Sequence, residues 1–297
     1  MDISRRAFSL GALLAPLAGP LGAAAPARRA FDLEGPGGRS IAITEWRPNG
    51  RKRGTILFSH GALSAPQLYE AVIGTWVADG WHVLAPLHVD SEEHPGTREF
   101  PGLASWKARI EDMRALSAHV GKRPWVAAGH SYGGLVALTM GGAAAVPPPG
   151  ITGALSDANV RAVVAFSPPA PVPVLCTAEG YAKLAVPALI QTGTADNPPA
   201  GPGLAPVPGS WKGHLAPYDA AAPGGNRYGL VLEGVDHYFG GLICRYEVPG
   251  PQQVARLEDA KRISTQFLRA FGAGDRAAMR LLDRQVSDAM PVQLLRK

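Results

Sequence analysis

The residue best placed to do chemistry in this 297-residue chain is Ser131, within Gly129-His130-Ser131-Tyr132-Gly133. This G-x-S-x-G pattern directly follows an apolar run, Trp125-Val126-Ala127-Ala128, and directly precedes a helix-forming stretch that reaches Met140. A strand and a helix joined so tightly require Gly129 and Gly133 to lack side chains, and the turn lifts the serine hydroxyl to the carboxyl edge of a sheet. There it faces a helix N-terminus, where developing negative charge is favoured. The position suits a nucleophile; the competing reading is a packed strand–helix turn with an idle serine. A serine nucleophile needs a base and a group to orient that base. Only His214 and His237 follow Ser131, and Asp196, Asp219 and Asp236 are the acids considered for the third role.

Other chemistry-bearing residues make weaker patterns. His82, His88 and His94, with Asp90, Glu92 and Glu93 nearby, are spaced by six and match neither H-x-x-x-H nor H-E-x-x-H. They read as a polar loop at the end of a strand, and neither a metal nor a cofactor is called for. Cys176 and Cys244 show no metal spacing and no C-x-x-C. They form one disulfide or are two small buried side chains, since sequence cannot supply the Cα separation.

The elements that must position these groups alternate along the chain. Ile41–Trp46 reads as an early edge strand, and Thr55–Phe58 as a strand buried on both faces. After Pro66, residues Tyr69, Val72, Ile73, Trp76 and Val77 trace a helical stripe that Gly80 ends. Trp81–Ala85 is a strand, and Leu103, Trp106, Ile110, Met113, Leu116 and Val120 mark a second helix. Further strands are expected at Val160–Phe166, Val186–Gln191 and Tyr228–Leu232, with helices at about 252–271 and 277–283. Strands alternating with helices predict an α/β fold, a mostly parallel sheet covered on both faces. No internal repeat, second-domain linker or room for a large lid is visible, so residues 28–297 are expected to form one domain.

The strand–elbow–helix arrangement resembles the α/β-hydrolase family over nearly all of the chain after residue 27. Dienelactone-hydrolase-like and lipase-like esterases are the most similar members, on Ser59–Leu63, the missing lid and Phe271-Gly272-Ala273-Gly274-Asp275. The resemblance implies the chain order serine, acid, histidine. His237, on a loop after the Tyr228–Leu232 strand, then takes the base's place, leaving His214 a surface or loop histidine. Asp196 takes the acid's place, in a strand followed by Gly193-Thr194-Ala195-Asp196. Asp236 is too near His237 in sequence to face its ring easily. Two backbone N–H groups would stabilise the oxyanion. Tyr132 supplies one; Ser59-His60-Gly61-Ala62 resembles the family's H-G-x element and supplies the other from Ala62, with Leu63 second. His60 is expected to support this element without touching substrate. Together these imply hydrolysis of carboxylic esters through an acyl-enzyme. A peptidase or acyltransferase on the same residues, or a non-catalytic binding protein of the same fold, are the alternatives.

Residues 1–27 read as a secretory signal. Ser4-Arg5-Arg6-Ala7-Phe8 resembles the twin-arginine export signal and precedes a short apolar run with Ala23-Ala24-Ala25 and Ala25-Pro26-Ala27 as cleavage candidates. Export machinery is thus an expected partner, and the periplasm or extracellular space the expected location. The remaining composition excludes several classes. With 46% apolar residues the chain can bury enough surface to fold, and no later stretch is long and apolar enough to span a membrane. The net charge of +5 comes from dispersed residues, without the basic stripe a nucleic-acid binder needs. The expected ligand is a small-molecule or acyl ester. Glycine (36) and proline (28) are in excess, and nine prolines sit in Pro168–Pro173 and Pro198–Pro208. Both loops follow strands, so this proline is expected to stiffen the rim of a binding cleft.

Overall fold

The computed structural model describes residues 27–198, 205–224, 226–248 and 250–297. The expected export segment therefore lies outside the described residues, except for Ala27, which opens the first strand.

One nine-stranded sheet organises the molecule. Its strands are β1 (Ala27–Glu34), β2 (Ser40–Arg47), β3 (Gly54–Ser59), β4 (Trp81–Pro86), β5 (Trp125–His130), β6 (Val160–Phe166), β7 (Ala188–Gly193), β8 (Arg227–Leu232) and β9 (Val292–Arg296). They lie in the order β1-β2-β4-β3-β5-β6-β7-β8-β9. From β4 to β8 all neighbours are parallel, whereas β1, β2 and β9 join antiparallel. The helices are α1 (Glu70–Ala78), α2 (Ser105–Val120), α3 (Tyr132–Met140), α4 (Ala178–Tyr181), α5 (Ala216–Ala220), α6 (Val254–Phe267) and α7 (Arg276–Asp283).

The central strands are near-continuous apolar runs because both their faces are covered. In β3, Ile56 and Phe58 join a core with α1 and α6, whereas Leu57 joins a second core with α2 and α3. Strand geometry sends alternate side chains to opposite faces, so one tripeptide serves both cores. Four tryptophans, Trp46, Trp76, Trp81 and Trp125, are fully buried. Each buried aromatic removes on the order of 150–250 Å² from water, a large share of the driving force.

Several details differ from the sequence expectation, which did not include β9, α4 or α5. The strand around Ile41–Trp46 is interior, because β1 pairs with it along its whole length from Ala27 to Glu34. β1 carries no apolar run because Phe31 and Leu33 are its only large apolar residues, and Arg28, Arg29, Ala30, Asp32 and Glu34 are exposed. The expected 252–271 helix begins at Val254 and passes after Phe267 into a π-turn over Leu268–Gly272. Finally, Leu103 lies ahead of α2 and is 51% exposed, so it is not part of that helix's buried stripe.

Candidate active site

β5 and α3 meet at Ser131, whose backbone is held at φ 53°, ψ −122°. A Cβ on Gly133 would lie 1.9 Å from the Ser59 carbonyl oxygen, and one on Gly129 would lie 2.2 Å from the Gly133 oxygen. Both contacts are backbone on backbone, so no rotamer change relieves them. The neighbouring strand and helix therefore approach only over glycine, and the serine occupies the conformation this close approach imposes.

Asp196 and His237 meet as the sequence expected. His237 Nδ1 lies 2.8 Å from Asp196 Oδ1, and the carboxylate is 2% exposed at the end of β7. Thr192 Oγ1 donates to Asp196 Oδ2 at 3.2 Å, and Ser167 Oγ donates to the same oxygen at 2.5 Å. Burial opposes the charge on Asp196, but His237 and His214 outweigh it and hold the carboxyl well below its ordinary range. Ser131, Asp196 and His237 line one cleft of about 860 Å³, which also takes in Ser167, His214 and Tyr238. Asp236 also lines this cleft, but its carboxylate accepts from the N–H groups of Tyr238 and Gly240. Asp219 sits on α5.

His214 corrects the sequence reading. It is 4% exposed rather than a surface histidine: Nδ1 lies 2.6 Å from the Pro168 carbonyl, and Nε2 lies 3.1 Å from Asp196 Oδ1. Burial alone would lower its pKa, yet the bond and charge of Asp196, with the Pro168 carbonyl, raise it above the ordinary imidazole value. Asp196, His214 and His237 thus bring three possible ligand atoms within 4.8 Å of one another. Both imidazoles turn a ring nitrogen to the same carboxylate oxygen, His237 Nδ1 at 2.8 Å and His214 Nε2 at 3.1 Å. His130, in the elbow, is fully buried and ties the loops together. Its Nε2 donates to the His237 carbonyl at 2.9 Å, and its Nδ1 accepts from Tyr69 Oη at 2.9 Å.

Ala62 and Tyr132, the expected oxyanion donors, share with Ser131 a second cavity of about 500 Å³. Its other walls are mostly apolar and include Leu63, Phe100, Leu103, Val172 and Leu175. Tyr132 opens α3, so its N–H is among those that helix geometry leaves without an intrahelical partner.

Behind Ala62 lies a buried polar network that replaces the polar loop expected around His82, His88 and His94. His88 is fully buried, with Nδ1 2.8 Å from Asp112 Oδ2 and Nε2 2.8 Å from Ser59 Oγ. The His88 backbone N–H donates to His60 Nε2 at 2.9 Å, which leaves His60 Nδ1 to donate to the Gly61 carbonyl at 2.7 Å. Burial holds His60 and His88 neutral, well below the usual imidazole range, and pushes Asp112 up to about 6. His82 instead pairs with Glu45 at 2.6 Å. Sequence reasoning missed Arg109 and Ser167 and the roles of Asp90, Tyr69 and His214, none of which stands in a recognisable motif.

No family model matches the chain, and no curated protein matches it either. Solved structures do. Esterase 2 of Thermogutta terrifontis, phosphoramylated by tabun, superposes with a TM-score of 0.60 at 16% identity, covering 84% of this chain and 96% of that one. The esterase domain of a Rhodothermus marinus protein gives 0.55 at 14%, covering 82% and 99%. Dienelactone hydrolase from Anabaena variabilis gives 0.54 at 18%, covering 83% and 99%. At these identities the likeness is one of fold, and the fold is that of the α/β-hydrolases, with a mostly parallel sheet and no large lid among the described residues.

Proposed function

We propose that this chain is a serine hydrolase that cleaves carboxylic esters. The observation that carries the reading is the Asp196–His237 contact at 2.8 Å in the cleft that Ser131 also lines. In the reaction, Ser131 Oγ attacks the ester carbonyl carbon while His237 Nε2 takes the hydroxyl proton. Asp196 holds the imidazole by Nδ1 and stabilises the imidazolium. The oxyanion is met by the N–H groups of Ala62 and Tyr132. The carbon–oxygen bond to the alcohol then breaks, the alcohol leaves with the proton from His237, and an acyl-enzyme remains. Water repeats the sequence, releasing the carboxylic acid and restoring Ser131.

Two cavities meet at Ser131 and support a division of the substrate between them. The alcohol must leave beside His237, hence through the larger cleft with Ser167, His214 and Tyr238. The acyl group then occupies the cavity lined by Leu63, Phe100, Leu103, Val172 and Leu175, which suits an apolar chain. The tabun-modified esterase of the same fold supports covalent chemistry at a site of this kind.

A panel of p-nitrophenyl acyl esters beside peptide amides tests the reading. Hydrolysis of esters is expected, with a preference for acyl chains longer than acetyl, and Ser131→Ala is expected to lower kcat on the order of 10⁶-fold. Absence of ester hydrolysis together with no labelling by a fluorophosphonate probe would overturn it. We further propose that residues 1–27 direct export to the periplasm or beyond. N-terminal sequencing of the exported protein should show those residues removed, and Arg5→Lys with Arg6→Lys should retain the protein in the cytoplasm.

A further inference from the structure

Arg109 is a fully buried arginine on α2, with 0% exposure, and it lies behind the loop that carries Ala62. A guanidinium has five N–H donors in a fixed plane. Here each has an acceptor. Nε and Nη2 donate to Asp90 Oδ1 and Oδ2, both at 2.9 Å. Nη1 donates to the His60 carbonyl at 2.7 Å and to Ser59 Oγ at 3.3 Å, and Nη2 also donates to the Gly61 carbonyl at 3.1 Å. The guanidinium carbon lies 4.5 Å from the centre of the Tyr132 ring.

Peptide planarity gives these contacts a consequence. In a trans peptide the C=O and the following N–H point to opposite sides. The His60 carbonyl faces Arg109, and the next N–H, that of Gly61, points away to donate to Tyr69 Oη at 2.9 Å. The Gly61 carbonyl also faces Arg109, so the next N–H, that of Ala62, points away as well, toward the cavity Ala62 shares with Ser131. We propose that Arg109, locked by Asp90, is a positioning residue that aims the Ala62 N–H at the oxyanion, while its contact with the Tyr132 ring steadies the residue bearing the second donor. The proposal rests on the ester-hydrolase reading above. Lysine cannot substitute, because its three donors on a single nitrogen cannot hold a carboxylate and two successive carbonyls.

The test is a double-mutant cycle in the full chain on the best p-nitrophenyl ester, with Arg109→Lys, Ala62→Pro and the double variant. Arg109→Lys is expected to lower kcat about 10²–10³-fold, the cost of an oxyanion donor, with KM within about threefold. In the Ala62→Pro background, which has no N–H to aim, Arg109→Lys is expected to cost little more. Near-ultraviolet circular dichroism gives the folded fraction, by which each kcat is scaled. If Arg109→Lys does not fold, Asp90→Asn carries the same cycle, since it loosens the guanidinium and leaves it in place. A kcat near that of wild type, losses that multiply in the double variant, or a loss that matches the unfolded fraction overturns the proposal. A wild type without ester hydrolysis or probe labelling overturns the ester-hydrolase reading instead.

Discussion

Asp196 faces two histidines at once, and its contact with His214 depends on pH. His214 is the more buried, and its folded pKa is raised by Asp196. A group whose folded pKa is raised contributes stability that is full below its unfolded value and is lost as pH rises through the folded one. His214→Asn should therefore lower Tm more at pH 5.5 than at pH 9, the loss at low pH corresponding to about 1–3 kcal/mol for a buried hydrogen bond to a charged group. An equal shift at both pH values, measured by calorimetry, would show that His214 does not draw its stability from Asp196. Ala62 makes a different kind of prediction, since its amide and not its methyl is at issue. Ala62→Gly keeps the N–H and should hold kcat within about tenfold, whereas Ala62→Pro removes it and should cost about 10²–10³-fold in kcat. Similar kcat values for the two variants would remove Ala62 from the oxyanion site.

The elbow is an element-scale device, a strand and a helix sharing space that only glycine leaves open. Gly133→Ala places a methyl 1.9 Å from one backbone oxygen and 2.5 Å from the next, that of His60. This substitution should cost more than about 4 kcal/mol, seen as lost soluble yield or a collapsed Tm. Gly74, on α1, is the control, because a Cβ there meets nothing within 4 Å. Gly74→Ala should be neutral or stabilise by up to about 1 kcal/mol through helix propensity. Equal effects at the two glycines would contradict the packing. The elbow was legible in the sequence because its constraint is local, a strand, five residues and a helix. The α2 contribution was not. Its apolar stripe announced Trp106, Ile110, Met113 and Leu116, but nothing in that stripe singled out Arg109 and Asp112 on the same helix. They are buried because Asp90 and Arg39 meet them from other segments.

At the scale of the whole molecule, the sheet separates two cores, and this decides the cysteines. Cys176 packs in the core with α2 and α3, and Cys244 packs in the core with α1 and α6. Both are buried and free. A disulfide needs Cα atoms within about 7 Å, which the intervening sheet does not allow. Native protein should therefore leave both thiols unreactive toward an aromatic disulfide reagent, and both should titrate after denaturation without reductant. An unfolded chain lacking free thiols would contradict the arrangement.

The sequence by itself determined the central elements and pointed to the candidate residues that lie at their ends. Apolar runs buried on both faces marked β3 to β8, because such strands need no alternation. The glycine-flanked Ser131 could be picked out at a strand end, and the resemblance to α/β-hydrolases then pointed to the acid after β7 and the histidine after β8. The proline-rich loops also fell where expected, for Pro169, Pro171 and Pro198 line the larger cleft. Only the tertiary structure decided what stands behind those residues. His214 reaches Asp196 across 18 residues of chain, and Arg109 reaches Gly61 across 48. Such pairings come from the stacking of helices on the sheet, which fixes distances that no spacing along the chain encodes. Burial then changes the reading of His214 and His88, a surface or loop histidine and a polar-loop residue by sequence, both of which are buried beside the site.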